Sequence, residues 1–195
     1  MTDTATPTQL VRSHQGRDVP EAGTYDIDVS HSNVDFVVRH LMISKVRGSF
    51  AKYSGAITVA DVPEESSVQV EIDPGSISTN DEQRDGHLRS PDFFHVEEYP
   101  ALRFASTAVE AVKGDHWKVT GDLTIRDTTK PVVLDVTFDG AQADPWGGAR
   151  IGFTASTELD REEWGLTWNQ ALETGGVLVG KKIKIELGVE ASRQA

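Results

Sequence analysis

From Gly23 onward, apolar and polar residues alternate with a period of two and β-branched residues are frequent, which predicts strands rather than helices. Val34, Phe36, Val38 and His40 share one face, while Asn33, Asp35 and Arg39 dominate the other and Val37 breaks the pattern. Similar alternation runs through Val68, Val70 and Ile72, through Leu102 and Phe104, and through Trp117, Val119, Gly121, Leu123 and Ile125. It returns in Val132, Leu134, Val136 and Phe138, in Ile151, Phe153 and Ala155, and in Ile183, Ile185, Leu187 and Val189. Each predicted strand therefore has one dry and one wet side.

Turn signals separate these runs: DVPEE at 61–65, VKGDH at 112–116, RDTTKP at 126–131 and DPWGG at 144–148. Short antiparallel strands with brief connections suggest a sandwich or an up-and-down barrel. The barrel is favoured because closure removes exposed edges. One interior segment, residues 81–90, reads as helix: Asn80 or Thr79 is placed to cap it, Asp81 and Glu82 are acidic in its first turn, and Pro91 stops it. A single helix among many strands is expected to be an insertion that plugs or covers the barrel.

The 195-residue length suits one domain. Residues 1–22 are rich in Thr, Gln, Ser, Asp and Pro and are expected to be a disordered tail, with the domain spanning 23–191 and a short tail at 192–195. Neither a signal-peptide core nor an apolar run of about 18 residues is present, so the expectation is a cytoplasmic protein without a membrane span. Nineteen Lys plus Arg against 31 Asp plus Glu give a net charge of −12, which repels nucleic acid and anionic membrane surfaces. The chain has no Cys, which removes disulfides, thiol nucleophiles and zinc–thiolate sites.

Candidate chemistry narrows further. Gly175 to Lys181 has phosphate-loop spacing, but Lys182 stands where Ser or Thr is needed and KKIKIEL then alternates like a strand, whereas an anion-binding loop must enter a helix. The six histidines show no i, i+2 or i, i+4 pairing that would aim two imidazoles at one ion. This leaves a site assembled from distant strands, for example His31 or His40 with a carboxylate, as the less favoured reading; the expectation is no metal and no cofactor. His40 has two readings, a buried imidazole bonded to a carbonyl or a polar anchor for a ligand head group. No Gly-x-Ser-x-Gly elbow occurs, and no carboxylate pair is singled out as an acid and base. In EEWGLTWNQ, at 162–170, Trp164 and Trp168 suit the mouth of a barrel, with sugar stacking the less favoured reading.

The connector RDGHLRSPDFFHVEEYP, at 84–100, concentrates charge, imidazole and paired phenylalanines. An Asp85–Arg89 pair at i, i+4 is expected to be a solvated helix salt bridge. Burying Phe93 and Phe94 is worth about 1.5–3 kcal/mol each, so they should clamp the helix onto the barrel. Arg84 and His87 are then candidate head-group contacts.

Five ordered stretches closely resemble the YceI-like family: HSNVDFVVRHLMISKVRGSF (31–50), EIDPGSISTNDEQRDGHLRSPDFFHVEEYPALRF (71–104), VTGDLTIRDTTKPVVLDV (119–136), GFTASTELDREEWGL (152–166) and GGVLVGKKIKIELGVE (175–190). The resemblance implies an all-β, extended lipocalin-like antiparallel barrel of about eight strands, a strand number able to hold one ligand. It implies non-catalytic binding, storage or transport of a polyisoprenoid, an isoprenoid quinone or a similar lipid, and a homodimer. Relatives often carry a signal peptide, a pattern from which this chain is expected to depart, and Asp127 and Trp164 stand where Gly and Phe are frequent. Carried over, the expected lining is Val34, Phe36, Val38, His40, Val70, Ile72, Leu102, Phe104, Leu123, Ile125, Phe153, Ile183 and Ile185. Phe50, Phe93, Phe94, Trp117 and Trp164 would line or plug the channel. Alternation fits a cavity wall and a filled core equally well, so an enzyme on an apolar or sugar substrate and a filled interaction module stand as alternatives to a carrier.

Overall fold

The computed structural model describes residues 10–41, 43–144, 148–172 and 176–194. Its strands are β1 (Val11–His14), β2 (Arg17–Pro20), β3 (Gly23–Ile27), β4 (Asn33–His40), β5 (Ser44–Phe50), β6 (Tyr53–Val59), β7 (Ser67–Ile72), β8 (Ile77–Ser78), β9 (Leu102–Lys113), β10 (His116–Ile125), β11 (Thr128–Ala143), β12 (Ala149–Asp160) and β13 (Val179–Arg193), with one helix, α1 (Glu82–Arg89). The predicted turn at 61–65 falls between β6 and β7. Those at 112–116 and 126–131 narrow to residues 114–115 and 126–127, with their flanks already in β9, β10 and β11, and residues 145–147 of the fourth lie outside the described residues.

Successive strands pair antiparallel from β9 through β13, and β12 joins β13 over a register running from Arg150–Ser192 to Asp160–Lys182. The other edge of β13 is shared: Val179–Gly188 pairs with β4 and Ala191–Arg193 with β3. β3 and β4 thus act as one interrupted barrel strand, and β5 and β6 as the next, before β7 returns the sheet to β9. The result is a closed eight-stranded antiparallel barrel, the strand number that the family resemblance implies. Long β11 bends at a bulge between Phe138 and Gly140, where the register slips.

Two apolar clusters sit at opposite ends of the barrel. Phe50, Ile77, Leu102, Ile125, Leu159, Trp164 and Leu166 pack at the α1 end, joined by Leu88 and Phe94. Tyr25, Val59, Phe138, Ile151 and Ala191 pack at the other, joined by Val11. On β12, Ile151 and Leu159 belong to different clusters and are about 26 Å apart at strand rise.

Four local expectations are corrected. The stretch 10–22 is no tail, because β1 and β2 form a hairpin that covers the Tyr25 end of the barrel. Its turn, Gln15–Gly16, has both φ angles positive (52° and 76°), the twist a two-residue hairpin requires. Arg12 fixes it to the barrel by donating to Pro20 O, Asp61 O and Ala60 O, and Val19 is fully buried. Residues 1–9 lie outside the described residues. At the C-terminus, Ser192 and Arg193 continue β13 and pair with Asp26 and Tyr25.

The helix forms, but Asp81 caps it, accepting from Arg84 N at 3.0 Å, and Ser90 ends it just before Pro91. Asp85 makes no pair with Arg89. Its carboxylate turns inward to Thr79, while Arg89 reaches Gly75 O, Ile77 O and Glu82, since buried backbone groups offer better partners than a solvated neighbour. Gly175 lies outside the described residues, and from Val179 the chain runs as strand β13 rather than helix, as the alternation of KKIKIEL predicts.

Candidate ligand-binding cavity

The inward side chains do not meet in the middle. They enclose a cavity of about 330 Å³, within the size range of small-molecule pockets. Its wall takes Val34, Phe36 and Val38 from β4, Phe50 from β5, Val70 and Ile72 from β7, Leu102 and Phe104 from β9, Leu123 and Ile125 from β10, Phe153 from β12, and Ile183 and Ile185 from β13. All but Phe50, expected either to line or to plug the channel, sit where the period-two pattern puts them.

Phe93, Phe94 and Trp164 close the α1 end and also line the cavity. Tight turns after α1 aim the two phenylalanines inward: Phe93 N donates to Ser90 O and Phe94 N to Leu88 O, each at 3.0 Å. Phe94 meets Phe50 edge to face, and Phe50 packs against Phe36. The Trp164 indole N–H donates to Leu123 O at 2.9 Å, which lets so large a ring be buried.

Four expected residues fall outside the wall. His40 is half-buried at the end of β4, where the β4–β13 register slips between Val179 and Ile183, so strand parity no longer sets its direction. Arg84 is held by Thr79, donating to its Oγ1 at 2.7 Å and its carbonyl at 2.9 Å. His87 lies on the lid between Phe93 and Trp168, with Nε2 2.8 Å from Asp92 Oδ2. Trp117 is buried at the opposite end, in a smaller cavity of about 90 Å³ beneath the β1–β2 hairpin.

The wall also contains residues the sequence reading did not select. Val68, Val119, Val132, Leu134, Val136, Ala155, Leu187 and Val189 have the right parity within strands already recognised. Tyr53 and Ile57 belong to β6, whose Tyr53, Gly55, Ile57, Val59 alternation is a legible signal. Arg161 carries no such signal, since charge argues for a solvated position.

Arg161 opens a short 3-10 turn after β12, capped by Asp160, and is only 5% exposed. Its Nε donates to Gly180 O at 3.0 Å and its Nη1 to Leu166 O, while Phe93 lies 5.9 Å from Cζ. Nη2 is buried without a hydrogen-bond partner. Burial pushes the guanidinium pKa below its ordinary value, opposed by the nearby charges of Glu162 and Asp160. Ser32 and Asn33, also in the wall, are satisfied elsewhere: Ser32 Oγ donates to Glu190 O and Asn33 donates to Asp35.

Outside the cavity, Asp28, His31 and Glu190 converge closely enough for their ligand atoms to suit a metal ion. The Arg150 guanidinium already fills that role, with Nη1 2.6 Å from Asp28 Oδ2 and 2.5 Å from Glu190 Oε1. The cluster is a salt-bridge network that pins the β3–β4 break to β12 and β13. Among the described residues, no helix is long and apolar enough to cross a membrane.

Comparison with known proteins gives the same architecture. A UPF0312 protein of Staphylococcus aureus strain USA300 is 39% identical over 171 residues, covering 86% of this chain and 96% of its own. The crystal structure of a Campylobacter jejuni YCEI protein superposes with a TM-score of 0.70 at 30% identity, covering 80% of this chain and 90% of that one. A polyisoprenoid binding domain from Saccharophagus degradans shares the fold, with a TM-score of 0.68 at 15% identity over 89% of this chain and all of that one. The YceI-like domain profile matches residues 25–191, all but the outermost residues of the barrel, and the chain therefore belongs to the YceI-like family.

Proposed function

We propose that the protein binds one long apolar molecule, a polyisoprenoid, an isoprenoid quinone or a similar lipid, inside the barrel, and stores or carries it without changing it. The observation that supports this is a cavity of about 330 Å³ whose wall is built from inward apolar side chains of every barrel strand. Each methylene moved from water into such a wall contributes about 0.8 kcal/mol, so a long chain offsets the cost of its own ordering. The Saccharophagus degradans domain has this fold and is described as polyisoprenoid binding, which makes that ligand class the first to test.

A catalytic role finds less support. Arg84 and Asp85 are both committed to Thr79, and His40 stands outside the wall, so the titratable groups that motivated an enzyme reading do not converge on the cavity. The test is solvent extraction of purified, untreated protein followed by mass spectrometry. One apolar species at near-stoichiometric amount is expected. Its absence, together with failure to take up added polyprenols, overturns the proposal.

A further inference from the structure

Arg161 presents a problem that the apolar cavity alone does not resolve. Among the described residues, four buried side-chain polar atoms lack a hydrogen-bond partner, and Nη2 of Arg161 is the one whose residue lines the main cavity. Its other two nitrogens are tied to Gly180 O and Leu166 O, which fixes the plane of the guanidinium. Carbonyl partners satisfy N–H groups but make no ion pair, and burial disfavours a charge that has no counter-ion bonded to it.

The neighbouring acids Glu162 and Asp160 favour the cation through space, yet neither bonds to it. Glu162 Oε2 takes Lys181 Nζ at 2.7 Å, and Asp160 Oδ1 caps the 3-10 turn through Glu162 N at 3.1 Å. Among the described residues no carboxylate forms an ion pair with Arg161. Phe93, which shares the wall, places its ring centre 5.9 Å from the guanidinium carbon.

We propose that Arg161 is the head-group anchor of the cavity, with Nη2 donating to an oxyanion, a carboxylate or phosphate, at the end of the bound apolar chain. The assignment rests on the cavity being the ligand site. From Arg161 the chain would run along the inward residues of β12, where Leu159 to Phe153 spans about 20 Å at strand rise. A neutral carbonyl head would satisfy the free N–H but not the charge, so an anion is the better complement.

The test is calorimetric titration of the delipidated full-length protein with three probes of one chain length: dodecanoate, dodecyl phosphate and dodecanol. At least one anion is expected to bind about tenfold or more tightly than the alcohol, the gain of a charge-assisted hydrogen bond in a buried site. The preferred anion identifies the head group. Arg161→Met should abolish the preference for the anions over dodecanol. If that variant does not fold, the preference of the unaltered protein still decides. Equal binding of all three probes, or a preference that survives Arg161→Met, overturns the anchor and leaves the cavity reading standing. Binding of none overturns both.

Discussion

The Asp85 carboxylate accepts from both the backbone N–H and the hydroxyl of Thr79, at 2.8 and 2.5 Å, with both residues about 95% buried. This contact ties α1 to the end of β8, and Arg84 reinforces it by donating to Thr79 Oγ1. The helix buries little apolar surface of its own, so the clasp, together with Leu88, Phe93 and Phe94, holds the lid in place. Asp85→Ala leaves a buried N–H without a partner and should cost about 1–3 kcal/mol in urea unfolding. Asp85→Asn, which keeps an acceptor oxygen, should cost less.

Phe36 lies across Gly48 on the adjacent strand, and a Cβ added there would sit 2.8 Å from Phe36 Cε1. The missing side chain at 48 is the space the ring occupies, an aromatic covering a strand glycine. Gly48→Ala must push Phe36 away, and the ring lines the cavity. A loss of about 1–3 kcal/mol is expected, with reduced uptake of an apolar probe. Gly121, beneath Phe104, should behave alike, since a Cβ there would lie 2.6 Å from Phe104 Cε2.

The β1–β2 hairpin should be part of the stability of the barrel. Deleting residues 1–22 uncovers the end that holds Tyr25 and removes fully buried Val19 with the Arg12 hydrogen bonds. Loss of the Val19 burial alone is worth about 1.5–3 kcal/mol. A urea midpoint for the truncated protein clearly below that of the full chain is expected. An unchanged midpoint would mean that the hairpin contributes nothing.

Acid should weaken the salt-bridge network at the β3–β4 break. Hydrogen bonds from Ser30, then Arg150 and His31, hold the Asp28 carboxyl well below its ordinary range. The folded value is depressed, so the contribution is present above the unfolded-state pKa of about 4 and is lost as pH falls from there toward the folded value. The stability gap between the native protein and Asp28→Asn should therefore be widest above about pH 4 and narrow below it. A gap that does not change between pH 6 and pH 2.5 would contradict this.

How legible the molecule is in its sequence depends on which force places each residue. Alternation located the dry faces of β4, β10, β12 and β13, because one-sided burial is a local property of a strand. The same logic missed what is set across the fold. Arg161 is buried because Gly180 and Leu166 present their carbonyls to it, and no pattern near position 161 encodes those partners. Spacing pairs Asp85 with Arg89, yet Thr79 supplies two donors at once. The hairpin at 10–20 was hidden by polar composition, although Gln15–Gly16 between short β-capable runs was a turn signal. Whether the inward faces would meet or stand apart is a matter of barrel diameter, which strand number and tilt decide and side-chain parity does not.

The central claim is that this barrel keeps room for a guest chain, and a crystal structure of protein purified without delipidation tests it most directly. The expected result is elongated density running between Phe36, Leu123 and Ile185 with its end near Arg161. Side chains packed against one another across that space, or a column of ordered water in it, would contradict the account.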